Sequence, residues 1–171
     1  ETGIDAVAQS LVPVFYAKDD GTIDRDETHG GEDVTIHAGE VLGPESVWSA
    51  ISDLGAERIG HGYRSVEDPA LVDYLVEHRI GLEISMTSNV HIGVVDDYAG
   101  HPVKQILEHG VLANLNTDDP AISGIDLRHE FEVVAPQAGL TAKQARTAQR
   151  NGLEMAFLSS QEKAGLLSKK R

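Results

Sequence analysis

Four polar runs in this chain carry residue types that can do chemistry: His37-Ala38-Gly39-Glu40, Ile59-Gly60-His61-Gly62, Ser88-Asn89 and Asn116-Thr117-Asp118-Asp119-Pro120. Each follows a short apolar, β-branched stretch, so each falls where a strand would end. Imidazoles and carboxyls delivered at successive strand ends can bind a divalent ion and place a proton donor beside it. Between His37 and Glu40, two small residues permit a tight turn that sets a metal ligand next to a carboxyl. His61, between two glycines at the end of the neighbouring strand, would hold or orient the water that such a metal activates. Asp118 and Asp119 are adjacent; on an extended strand end they point in different directions, so one can ligate metal while the other faces substrate. Taken singly, His37 or His61 is more often a hydrogen-bonded structural histidine, and Asp-Asp-Pro more often a capped turn. Recurrence at four strand ends is what favours the functional reading. Ser88 and Asn89 are expected to brace the rim rather than react. His29, His78, His91, His101, His109 and His129 fall on loops or helices and receive no role.

The elements that must position these runs can be read from periodicity. The stretches 33–37, 58–61, 80–84 and 111–115 are short and apolar or β-branched. Between them lie helical spacings at Val47, Trp48, Ile51 and Leu54, at Leu71, Val72, Leu75 and Val76, and at Val103, Ile106 and Leu107. Residues 85–91 read as a polar loop. Strands alternating with helices predict a parallel sheet with right-handed crossovers, and catalytic groups at strand carboxyl ends predict a β/α barrel rim. After the last strand the chain reads as helical over 125–134, 141–158 with a Thr cap, and 160–169. The segment from Ser160 to Lys163 reads as a capped amphipathic helix, followed by the basic tail 169–171.

A complete eight-unit barrel takes about 250 residues, more than the 171 present, and Glu1 leads straight into a strand-like stretch at 2–7. The expected fold is therefore α/β, the carboxyl-terminal part (about strands four to eight) of a TIM-type (β/α)8 barrel with extra C-terminal helices. Residues 1–171 are read as one partial barrel domain. Within it, residues 18–33 form an acidic, Gly-punctuated loop without the carboxylate spacing of a calcium-binding EF-hand.

Fourteen Lys and Arg against 28 Asp and Glu give a formal charge of −14, the wrong sign for tracking phosphates, so nucleic-acid binding is disfavoured. There is no cysteine, which leaves imidazole and carboxylate as metal ligands. No apolar run of about 18 residues appears, so no membrane partner is expected and the chain is read as soluble and cytoplasmic.

The quoted runs, together with Glu57-Arg58 before Ile59 and with Asn151-Gly152-Leu153-Glu154-Met155-Ala156-Phe157-Leu158, resemble the motifs of the adenosine deaminase family, the last run its bacterial branch. The resemblance spans about residue 34 to the end. It implies that His37 and Asp118 ligate one catalytic Zn2+ per site and that Glu40 donates a proton to the purine ring. It further implies that His61 positions and polarises the attacking water, that Asp118 helps orient it, and that Asp119 hydrogen-bonds a ring nitrogen of the base. The substrate implied is a purine nucleoside, adenosine or deoxyadenosine, and no organic cofactor is needed. The family takes two further zinc ligands from a His-x-His pair on the first barrel strand, and this chain has no such pair. Its partner is then the missing amino-terminal half of the same barrel, and the chain alone should be inactive. Where the family has a glycine contacting substrate, the stretch 5–10 carries Ala8. Two other readings stand beside this one: an adenine or other aminopurine deaminase of the same superfamily, and a non-catalytic half-barrel that assembles through its open sheet edges.

Overall fold

The structure, a computed structural model, describes residues 33–168. The strand expected at 2–7, Ala8, nearly all of the acidic loop and the basic tail lie outside the described residues.

Four strands, β1 Thr35–Ala38, β2 Arg58–His61, β3 Gly81–Ile84 and β4 Ala113–Leu115, form a parallel sheet in the order β1-β2-β3-β4. The register pairs His37 with Gly60, Gly60 with Glu83, and Glu83 with Asn114. Alternation along each strand therefore gives the sheet two unlike faces. Ala38, Ile59, Leu82, Ile84, Ala113 and Leu115 belong to the apolar core. Thr35, His37, Arg58, Glu83 and Asn114 share the other face with Gly60 and Gly81.

Helices between the strands cover the apolar face. Helix α1 Pro44–Ser52 follows β1; a 3-10 turn, Tyr63–Glu67, and α2 Pro69–His78 follow β2; α3 Met86–His91 and α4 Val103–Glu108 follow β3. Val47, Leu71, Leu75, Val103 and Ile106 from these helices are buried with the strand residues in a single cluster. Each such Leu or Ile contributes about 1.5–3 kcal/mol by leaving water. Asp68 starts α2 by accepting the Ala70 N–H at 2.9 Å, with Pro69 as first helical residue. Its other oxygen accepts Trp48 Nε1–H at 2.9 Å and ties α1 to α2.

On the polar face, below the strand ends, Arg58 donates to Thr35 Oγ1 at 3.0 Å and to the Met155 carbonyl at 3.2 Å. It lies 3.4 Å from Glu83, with its guanidinium 4.0 Å from the Phe157 ring centre. Met155 seats against Gly81, where any Cβ would come within 2.5 Å of its Cε. The layer ties the sheet to the carboxyl-terminal helices.

After β4 come α5 Pro120–Ser123, α6 Leu127–His129, a π-helical stretch Glu130–Val134, α7 Ala135–Gln137, α8 Ala142–Glu154 and α9 Ser160–Ser168. Thr141 caps α8 with a reciprocal capping box to Gln144, as its position predicted.

Four expectations change. The helix expected over 141–158 ends at Glu154, with Met155 as its C-cap. Within residues 85–91, read as a loop, Met86–His91 form helix α3: Met86 is wholly buried, and burial of that turn outweighs the weak helix propensity of Thr, Ser and Asn. The helix expected over 125–134 starts at Leu127, where Asp126 accepts the His129 N–H, and passes through the π-helical stretch. At the end, Ser159 rather than Ser160 makes the cap with Glu162, and α9 buries none of its residues, so it is not amphipathic in the expected sense.

Candidate active site

His37 stands one residue before the end of β1, and its imidazole lies across Gly60 of β2. A Cβ on Gly60 would sit 2.2 Å from His37 Cδ2, so only glycine leaves that ring its place. His61 ends β2 and is paired with Ala38, on the opposite face by alternation. Its backbone instead turns left-handed, at φ 61°. The rings of His37 and His61 then meet edge to face, 5.0 Å apart. Asp118 is left-handed as well, at φ 57°. Non-glycine residues pay for that conformation, and such positions collect at functional sites.

These turns bring the groups together. Ligating atoms of His37, His61 and Asp118 all lie within 4.8 Å of one another. His61 Nε2 is 3.4 Å from Glu40 Oε1 and 3.9 Å from Asp118 Oδ2. Ser88 Oγ donates to Asp118 Oδ2 at 2.7 Å. Asn89, fully buried, donates to Glu40 Oε1 at 3.2 Å. The turn carrying Glu40 is itself fastened: Gly39 N–H donates to Ser46 Oγ at 2.8 Å, and the Tyr63 hydroxyl donates to the Glu40 carbonyl at 3.0 Å.

Burial raises the Glu40 carboxyl above its ordinary range, the Asp118 charge raises it further, and the Asn89 hydrogen bond partly offsets both. Burial also pushes His61 down to about 4, with His37 adding to the effect, so its imidazole is neutral at pH 7. A half-buried acid with raised proton affinity beside a neutral imidazole suits proton donation to a bound substrate. Two imidazoles and a carboxylate converging at this range match the ligand chemistry of zinc.

Of the residues singled out from sequence, His37, Glu40, His61 and Asp118 converge, and Ser88 and Asn89 brace them as expected. Asp119, the next residue, is exposed as the N-cap of α5, with no side-chain cap bond. Asp118 is not on an extended strand end, as the expectation had it, but in a left-handed turn. Two residues escaped the sequence reading. His101, set aside there, is buried and bonded to Asn89 at 3.2 Å. Glu130, on the π-helical stretch, is fully buried under α3 and accepts the Thr87 N–H at 3.3 Å. Neither stands at a strand end, so strand-end spacing could not find them.

The family model for adenosine deaminase matches residues 21–170. The chain belongs to the adenosine deaminase family. An adenosine deaminase of Klebsiella pneumoniae subsp. pneumoniae is 58% identical over 153 residues, covering 87% of this chain and 46% of that protein. Among solved structures, an adenine deaminase from Arthrobacter aurescens superposes with a TM-score of 0.76 at 32% identity, over 81% of this chain and 42% of that one. An amidohydrolase from Burkholderia ambifaria with bound Zn gives 0.74 at 24% identity, over 90% and 45%, a likeness of fold. The expected fold class is borne out: this adenosine deaminase family chain is α/β with a parallel sheet, matching part of a deaminase barrel. It spans less than half the length of the curated relatives it matches. No helix among the described residues is long and apolar enough to cross a membrane.

Proposed function

We propose that this chain supplies the catalytic rim of a zinc-dependent adenosine deaminase, which hydrolyses adenosine and deoxyadenosine to inosine or deoxyinosine and ammonia in cytoplasmic purine salvage. The observation that carries the reading is the convergence of His37, Glu40, His61 and Asp118, from separate strand ends, within hydrogen-bonding or metal-binding range. His37 and Asp118 hold the zinc, with the remaining ligands coming from the rest of the barrel. Zinc supplies the Lewis acidity that makes water a nucleophile at neutral pH.

Glu40 protonates the ring nitrogen next to the amino-bearing carbon, which draws electron density from that carbon. Its raised proton affinity fits the task. His61 orients the incoming water, with Asp118 beside it. Asp119, exposed on the same rim, holds a second ring nitrogen. Water adds to the carbon and gives up two protons: one goes to the exocyclic amine, which leaves as ammonia as its bond to the carbon breaks, and the other returns to Glu40, so that the added oxygen remains as the carbonyl of the product.

The test joins this chain to the amino-terminal part of its Klebsiella pneumoniae relative and follows the loss of adenosine absorbance. The completed protein should turn over adenosine, and this chain alone should not. A completed protein that binds zinc without turning over adenosine would sink the reading.

A second reading keeps the chemistry and the base and drops the ribose. The structural likeness to an adenine deaminase at 32% identity supports free adenine as substrate. A panel of aminopurines with and without ribose separates the two.

A further inference from the structure

A chain of hydrogen bonds with one possible polarity runs from α4 into the site. It starts at the Val103 N–H, which can only donate, and which donates to His101 Nδ1 at 3.1 Å. His101, 3% exposed, must therefore carry its proton on Nε2. That nitrogen lies 3.2 Å from the Asn89 side-chain oxygen, which can only accept. The Asn89 amide is thereby held one way round, with both N–H groups aimed at the site. One reaches His61 Nδ1 at 3.1 Å and the other Glu40 Oε1 at 3.2 Å.

Two consequences follow at the reacting end. An Nδ1 that accepts from Asn89 cannot hold a proton, so neutral His61 carries its proton on Nε2, facing Glu40 and Asp118. Glu40 Oε1 receives the Asn89 N–H and has His61 Nε2 3.4 Å away. Glu40 is thereby held at Oε1, where it accepts the Asn89 N–H.

We propose that His101 and Asn89 are positioning residues, which fix His61 as an Nε2–H donor and hold Glu40 in place by its Oε1. The proposal rests on the deaminase reading for its catalytic consequence and on the hydrogen bonds alone for its tautomers. It divides the metal-range cluster by function. His37 and Asp118 keep lone pairs for a cation, whereas His61 presents N–H and serves as a donor to water, neither a ligand nor a base. The Tyr63 ring, 5.2 Å from the His101 ring, forms a wall of the relay.

Nitrogen-15 NMR of the histidine side chains in the full chain reads the tautomer without any need for activity. The His61 Nδ1 resonance should fall in the unprotonated, pyridine-like range and Nε2 in the protonated range, with the same pattern at His101. The opposite assignment, or an exchange average of the two tautomers at His61, overturns the proposal. Asn89→Asp replaces the donor to Nδ1 by an acceptor and should move the His61 proton to Nδ1; an unchanged spectrum also counts against it.

In the protein completed with the Klebsiella part, His101→Ala should lower kcat by about 10–100-fold, the usual range for a residue that orients a site group, with KM little changed. His101→Gln retains one N–H for Asn89 and one oxygen for Val103, and should recover most of the loss. If Gln is as poor as Ala while His61 keeps its tautomer in both, the relay has no catalytic role. A completed wild-type protein that is inactive yet shows the expected His61 resonances would refute the deaminase reading and leave the tautomer assignment standing.

Discussion

At the scale of single residues, the site depends on one carboxyl and one missing side chain. Glu40 lies half-buried between Asn89 and His61, and the role proposed for it needs a proton that Gln cannot release. Glu40→Gln keeps the oxygen that Asn89 donates to, so the turn and its neighbours should persist. In the completed protein we expect unchanged zinc content and kcat reduced by about 10²–10⁴-fold, the range of acid-base catalysis; near-normal turnover would remove Glu40 from the mechanism. Gly60 acts by absence. Its backbone is ordinary for a strand, but the His37 ring occupies the space a methyl would take. Gly60→Ala should cost about 1–3 kcal/mol of stability from overpacking and weaken zinc binding at least about 10-fold by displacing His37. Unfolding curves and zinc titration, run on the same variant, would separate the two effects. If zinc affinity is untouched, His37 is not a ligand.

At the scale of elements, α3 and the π-helical stretch beneath it show what strand-end logic could and could not reach. Glycines and polar residues at the tips of short apolar runs marked β1 to β4 and the four groups that converge, because a parallel strand and its tip are local in sequence. The helix over 86–91 was hidden because its residues look like a loop until Met86 is seen in the core. His101 was hidden because its partner, Asn89, lies inside α3, 12 residues earlier and across the loop that follows that helix, and no local spacing links them. Glu130 belongs to the same blind spot. Its carboxyl is buried under Thr87 with Oε2 lacking any partner among the described residues, and burial pushes its pKa up to about 7 from 4.5. The folded chain thus binds this proton more tightly than the unfolded chain. The associated stability is complete below pH 4.5 and is lost as pH rises toward 7, on the order of 3 kcal/mol in all. His61 and His101, both depressed to about 4, push the opposite way below pH 6.5, so the raw pH profile mixes the two. The difference between wild type and Glu130→Gln isolates the carboxyl. In urea unfolding from pH 4.5 to 7, the variant should gain relative to wild type with each step upward. A constant difference would mean that Glu130 does not titrate there.

At the scale of the whole molecule, the sheet of the described residues is open, with β1 and β4 as its edge strands. Edge strands offer backbone N–H and C=O groups to any partner strand. One carbonyl of β4, that of Ala113, is taken by Asn151 at 2.9 Å. The end of the sheet that carries the site is also unfinished. His37 and Asp118 are exposed, and so are Val41, Leu42, Ile92 and Ile122, which flank the site runs in sequence. Exposed apolar residues next in sequence to exposed candidate metal ligands suit a surface that is covered, and the proposed barrel would cover it with its own remaining strands. Deprived of them, the chain should cover its edges with other copies of itself. Its net charge of −14 opposes that, and the repulsion is screened within about 8 Å at physiological salt. Sedimentation of the chain alone should therefore show association that grows with protein concentration and with added salt, while the completed protein shows no such salt response. A chain that stays monomeric from low to high salt would mean that its edges are already closed, and the half-barrel account would fail with them.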